Sequence, residues 1–111
     1  MSKDDMHVIM YKILSYIYTC QKGGITPDSS VFSYEGSLIN IPENYWISII
    51  LELTGNGYIA GATITRTYEV VEVSFSNPYV TIKGVEFLQE NTMMKKAARF
   101  LQETKSAIPG L

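Results

Sequence analysis

The residue types used most often in catalysis are scarce in this chain and are not grouped. It contains one histidine, His7, and one cysteine, Cys20, and no cluster of Cys, His and carboxylate side chains of the kind that a metal site needs accompanies His7. Glu69 and Glu72 stand three apart in a predicted strand, so their carboxylates lie on opposite faces and cannot act as a pair. No phosphate-binding glycine motif or nucleophile motif is present. We therefore expect a protein without catalytic activity, cofactor or small-molecule substrate.

Side chains suited to recognition occur on one predicted helix, residues 42–55, and at scattered basic positions. If this helix entered the major groove of double-stranded DNA, polar side chains near its start would approach the bases and basic side chains would contact phosphates. The expected base-reading residues are Asn44, Tyr45 and Ser48. The expected phosphate contacts are Arg66, Lys83, Lys95, Lys96 and Arg99, with Lys22 as a further one. The helix itself carries Glu43 and Glu52 but no lysine or arginine, so simple solvation of its polar face is the competing interpretation.

Composition limits the classes of partner. With 111 residues, 46% of them hydrophobic, the chain is long enough for one domain, residues 1–111, with a core that needs no disulfide or metal. The net charge of −2 provides no overall basic field to attract nucleic acid or an anionic membrane, so DNA binding would require a local basic patch. Acidic residues near the N-terminus and apolar runs too short to span a bilayer predict a cytoplasmic protein without membrane contact.

The helix over residues 42–55 is the element around which we expect the fold to form. Four apolar residues recur at the i, i+3, i+4, i+7 spacing of a buried helical face. They are Trp46, Ile49, Ile50 and Leu53. Pro42 suits the first helical position, where its missing N–H costs nothing. The Gly-Asn-Gly sequence at residues 55–57 allows the left-handed conformation with which helices commonly end.

The remaining predicted elements give the order of helices and strands along the chain. We predict helices over residues 4–21, 42–55, 81–91 and 92–107, an irregular segment or short second helix over 28–41, and a hairpin over 58–76. The hairpin is expected to turn at Arg66 and Thr67 and to end at Asn77 and Pro78, because proline cannot donate to a strand ladder. This order is that of an α+β, winged helix-turn-helix domain with a two- or three-stranded antiparallel wing sheet and additional C-terminal helices.

Three segments, GYIAG, YVTIKGVEFLQEN and MMKKAARFLQETKSAIPGL, resemble the YjcQ family of small bacterial and phage proteins. Their order and spacing carry more weight than any one of them. The resemblance implies a winged-helix fold. It implies no defined activity, because the family is uncharacterised and winged helices serve both DNA binding and protein contact.

Two functions of different classes remain open. The first is a DNA-binding transcriptional regulator, which ranks slightly first because this is the fold's usual role in bacteria. The second is a protein-interaction or dimerisation module that does not bind DNA, in which the last predicted helix would present apolar residues to a second copy or another protein. Those residues are Met93, Met94, Ala97 and Phe100. The competing interpretation is that they pack against the first helix of their own chain.

Overall fold

The computed structural model describes residues 5–90. Within them the chain forms three helices and a two-stranded antiparallel sheet, in the order α1 (Met6–Lys22), α2 (Glu43–Gly55), β1 (Ile59–Arg66), β2 (Val71–Val80) and α3 (Ile82–Glu90). The predicted α+β class is confirmed, with two strands in the described sheet. The helix predicted over residues 92–107 lies outside the described residues.

The predicted buried face of α2 is confirmed, since the four buried residues of this helix are the four expected. Its start is shifted by one residue: Pro42 is extended and occupies the N-cap position, and Glu43 begins the helix. At the other end, the Tyr58 N–H donates to the Leu53 carbonyl at 2.9 Å, and the Gly57 N–H donates to the carbonyl three residues earlier at 3.0 Å. With a φ of +74° at Gly57, this is the Schellman ending that directs the chain straight into β1.

Helix α1 is central in the fold, as its wide apolar sector indicates. Its buried residues are Ile9, Met10, Ile13, Leu14 and Ile17. It also ends in a Schellman motif, because the Ile25 N–H donates to the Cys20 carbonyl at 2.9 Å and Gly24 has a φ of +71°. The side-chain amide of Gln21 then bonds to both backbone groups of Val80, at 2.8 and 3.2 Å. This pair of bonds ties the end of α1 to the end of β2.

The segment between α1 and α2 is irregular and contains no helix. Its serines and aspartate bond to nearby backbone groups instead: Asp28 accepts from the Ser30 N–H at 3.0 Å and from the Ser30 hydroxyl at 2.7 Å. The Ser33 hydroxyl oxygen accepts from the Glu35 N–H at 3.2 Å. Such local bonds compete with a helical backbone ladder. Of the two alternatives predicted for residues 28–41, the irregular segment is therefore the correct one.

Phe32 of this irregular segment is fully buried and connects it to α2 and the sheet. Its carbonyl accepts a buried hydrogen bond from the Trp46 indole nitrogen at 2.9 Å. Its ring meets the Phe75 ring edge-on, with 5.0 Å between centroids, and the Trp46 and Phe75 rings are 6.2 Å apart. Edge-to-face pairs of this kind add about 0.5–1.5 kcal/mol to the burial of the rings. One aromatic cluster therefore joins a loop, a helix and a strand.

The hairpin is longer than predicted, and its turn is displaced. The expectation that Asn77 and Pro78 end the second strand is wrong, because β2 continues to Val80 after an irregularity in the register. Gly61, with a φ of +86°, stands opposite this irregularity, and a Cβ there would lie 2.7 Å from the Ser76 carbonyl oxygen. The bulge lets Pro78 sit where no ladder N–H is needed.

The tip of the hairpin is formed by residues 67–70, not by Arg66 and Thr67 as predicted, since Arg66 still pairs with Val71. The predicted alternation along the second strand is confirmed, with Val71, Val73 and Phe75 on the core side and Glu72 and Ser74 exposed. The sheet therefore has one face against the core and one in solvent.

Helix α3 begins where predicted, with Thr81 as its cap. The Thr81 hydroxyl oxygen accepts from the Gly84 N–H at 3.2 Å, and the Thr81 N–H donates to the Tyr58 carbonyl at 3.0 Å. Gly84 is buried, and a Cβ on it would lie 2.3 Å from the Tyr58 carbonyl oxygen. The absence of a side chain at Gly84 lets α3 approach the start of the hairpin closely.

We expect Trp46→Ala to lower the free energy of unfolding by about 3–5 kcal/mol, because it opens a core cavity and leaves the Phe32 carbonyl without its indole donor. Trp46→Phe is the matched control. It keeps much of the ring and should cost less. Urea unfolding followed by far-UV circular dichroism measures both variants, and an alanine variant as stable as the parent would contradict a structural role for Trp46.

We expect Gly84→Ala to destabilise the fold by about 1–3 kcal/mol, because the new methyl group would overlap backbone that cannot move aside easily. Gly55→Ala is the control within another helix, where a Cβ meets nothing within 4 Å. Alanine is the better helix former by up to about 1 kcal/mol, so Gly55→Ala should stabilise or be neutral. Equal thermal midpoints for the two variants would be inconsistent with this account of α3.

Candidate interaction surface

The outward face of α2 is set by the burial of its opposite face. Asn44 is exposed, whereas Tyr45 and Ser48 are half-buried. The Ser48 hydroxyl donates to the Tyr45 carbonyl at 2.6 Å, so it is engaged with its own helix. Of the three residues predicted to read bases, Asn44 is the most accessible.

The charge on this face is negative. Glu43 lies in the first turn of α2, and its carboxylate raises the pKa of the neighbouring Tyr34 phenol by charge repulsion of the phenolate. Glu52 lies near the other end, and its carbonyl oxygen accepts from the Asn56 side-chain amide at 2.8 Å. An acidic residue at the helix N-terminus complements the helix dipole and repels an approaching phosphate.

Lys83 and Arg66, two of the expected phosphate contacts, lie at opposite ends of the hairpin. Lys83 lies in the first turn of α3. Its Cδ is 3.7 Å from the position that a Cβ would take on Gly57, at the start of the hairpin. Arg66 ends β1 at the far end. Seven residue steps of about 3.3 Å separate Ile59 from Arg66, so roughly 23 Å of strand separates the two cations. Lys95, Lys96 and Arg99 lie outside the described residues.

The tip of the hairpin exposes apolar side chains that the sequence did not single out. Tyr68 is fully exposed, and Val70 is 49% exposed. The turn that carries them is held by Thr67, whose N–H and hydroxyl both donate to the Val70 carbonyl, at 2.8 and 3.2 Å. The sequence does not predict this turn, because its residues, TYEVV, have the composition of a strand and include no glycine or proline.

A groove of about 300 Å³ lies between α1 and α3. From α1 it is lined by Tyr11, Ser15, Tyr18, Thr19 and Lys22, and from α3 by Val85, Leu88 and Gln89. The Lys22 ammonium lies 4.6 Å from the centre of the Tyr18 ring, a cation–π distance. The sequence feature that indicates this groove is the apolar sector of α1, which is wider than a single helical stripe.

The described residues offer no arrangement for metal binding. No group of three His, Cys, Asp or Glu side chains within residues 5–90 could hold a metal ion. Cys20 is half-buried in α1, and His7 stacks on Phe87 with 6.3 Å between ring centroids. None of the helices in this part of the chain combines the length and apolarity needed to cross a bilayer.

These features define a small α+β domain that presents an acidic helix face, an apolar hairpin tip and an interhelical groove. The chain belongs to the YjcQ protein family, whose sequence pattern matches residues 11–107. This confirms the resemblance noted from the sequence. No curated protein and no solved structure matches this chain.

Three positions of the segment YVTIKGVEFLQEN have structural roles. Thr81 caps α3, Gly84 permits close packing, and Phe87 is buried with its ring 4.9 Å from the Tyr58 ring. The part of the sequence that carries the family resemblance therefore encodes the joint between α3 and the hairpin.

Proposed function

We propose that this protein is a winged-helix module without catalytic activity, and that it works by contacting another protein and not by binding DNA. The observation that carries this proposal is the outward face of α2, which has acidic residues at both ends and no basic residue. A cytoplasmic location stays a prediction from the sequence.

The element order supports the winged-helix assignment. Helix α1, the irregular segment, α2, the hairpin and α3 follow one another as the first helix, the second-helix region, the recognition helix, the wing and a following helix of that fold. The second helix is replaced by the irregular segment that Phe32 anchors to the core. A recognition helix normally relies on the preceding helix to cross the DNA backbone. Its replacement therefore weakens the case for DNA docking more than the case for a winged-helix fold.

The charge distribution also favours a protein partner. Residues 5–90 contain nine Asp and Glu residues against four Lys and Arg residues, a net charge of −5 with His7 neutral. Non-specific DNA affinity comes almost entirely from phosphate neutralisation by clustered cations. Arg66 and Lys83 lie at opposite ends of the hairpin, so these two cations would contact phosphates singly.

The hairpin tip is the surface we assign to the protein contact. Tyrosine gives a large contact area at a low cost in side-chain entropy, and it is enriched in protein interfaces. Here Tyr68 is fully exposed on a turn that two hydrogen bonds from Thr67 hold in place. An exposed aromatic side chain on a hydrogen-bonded turn, next to the exposed Val70, is suited to enter a pocket on a partner.

DNA binding is the second candidate, and one observation favours it. Arg66 is exposed beside the hairpin tip, the position from which the wing of this fold reaches phosphate. The basic residues predicted to assist it, Lys95, Lys96 and Arg99, belong to residues 91–111, where four basic residues accompany one acidic residue.

Fluorescence anisotropy with a mixed-sequence DNA duplex separates the two candidates. We expect a dissociation constant weaker than about 10⁻⁴ M near physiological salt, because the cations are separated and the α2 face is acidic. A constant of about 10⁻⁴ to 10⁻⁶ M that weakens steeply with salt would instead support DNA binding, provided that Arg66→Ala binds more weakly than Lys12→Ala. Lys12→Ala is the control because it removes the same charge from α1.

Site-specific photo-cross-linking tests the protein contact. With a benzophenone amino acid in place of Tyr68, we expect a discrete protein adduct in the cells that produce this chain. The same amino acid in place of Thr63, which is exposed on β1, should give none. Either no adduct at position 68 or the same adducts at both positions would argue against a contact through the hairpin tip.

A further inference from the structure

The groove between α1 and α3 has a regular wall on each side. Tyr11, Ser15, Tyr18 and Lys22 are spaced i, i+4, i+7 and i+11, so they share one face of α1. At 1.5 Å per residue this face is about 16 Å long. On α3, Val85 and Leu88 are half-buried and pack against the core, yet they still line the groove. Its walls therefore combine tyrosine rings and aliphatic side chains with the polar side chains of Ser15, Thr19, Lys22 and Gln89.

The chain leaves the described part of the structure at this groove. Leu88 and Gln89 line it, and Glu90 is the last residue of α3. Residues 91–111 follow directly. The sequence predicts that only Asn91 and Thr92 connect α3 to the following helix. A connection this short would confine that helix to the neighbourhood of α3, because short links between helices produce antiparallel neighbours.

The pattern of the following residues matches the groove in chemistry and length. Apolar residues and one threonine recur at helical spacing. They are Met93, Ala97, Phe100, Leu101 and Thr104. Twelve residues of helix, 93–104, would be about 18 Å long, close to the length of the α1 face. Residues 91–111 carry a net charge of +3 and residues 5–90 a net charge of −5, so long-range attraction favours their association.

We propose that residues 92–107 occupy the groove between α1 and α3 of their own chain, with Phe100 directed into it. The segment completes the cover of α1, on which Tyr11 and Tyr18 are only half-buried by the described residues. A covered groove also removes Tyr11 and Tyr18 from the surface available to partners.

Paramagnetic relaxation enhancement in the full chain tests the location of the segment. A nitroxide is attached at Thr19→Cys, on the rim of the groove, and at Thr63→Cys as the distant control, both with Cys20→Ser so that one thiol is present. We expect the amide signals of residues 93–104 to lose intensity with the label at position 19 and to keep it with the label at position 63. Phe100→Asp should restore the lost intensity. Gln102→Asp, on the opposite side of the predicted helix, should not.

A mixture of nitrogen-15 protein without nitroxide and spin-labelled protein without nitrogen-15 distinguishes one chain from two. The proposal expects no loss of signal in this mixture. Loss of signal there would show that the segment of a second copy fills the groove, which overturns the proposal in favour of a dimer. Unchanged signals in every sample would overturn it as well, because the segment would then lie away from α1.

Discussion

The hydrogen bond from the Trp46 indole to the Phe32 carbonyl is the interaction on which the rest of the structure depends. The segment before α2 has no helical ladder to satisfy its backbone, and a buried carbonyl without a donor costs about 1–3 kcal/mol. The buried Trp46 indole supplies that donor, with 2.9 Å between its nitrogen and the Phe32 carbonyl oxygen. It thereby allows an irregular segment to bury a phenylalanine, and the two rings together with Phe75 position α2 against the sheet.

The second joint of the fold is built from backbone at Tyr58. Its N–H completes the end of α2, and its carbonyl accepts from Thr81 at the start of α3. Gly84 is required because this carbonyl occupies the space of a side chain. The residues that carry the family resemblance around Thr81 and Gly84 are therefore explained by packing and capping.

Charge separates the molecule into two parts. The described domain is acidic, with its few cations distributed along the hairpin and helices, and the basic residues are concentrated after α3. By its composition alone, the same basic segment predicts a set of phosphate contacts. An acidic domain in the same chain attracts basic side chains as phosphates do, so the presence of this basic segment does not by itself indicate nucleic acid.

Local patterns in the sequence determined the buried face of α2, the glycine endings of the helices, the alternation along β2 and the Thr81 cap, because each depends on residues within a few positions of one another. The local hydrogen bonds of Asp28, Ser30 and Ser33, which compete with a helical backbone, could likewise be predicted from neighbouring residues. Only the tertiary structure decided the extension of β2 past Pro78, since a bulge opposite Gly61 depends on the partner strand. The distance between Arg66 and Lys83, the exposure of Tyr68 and the groove beside α1 were likewise decided by packing between distant segments. Spacing along a chain limits which side chains share a face, but it does not specify which faces meet.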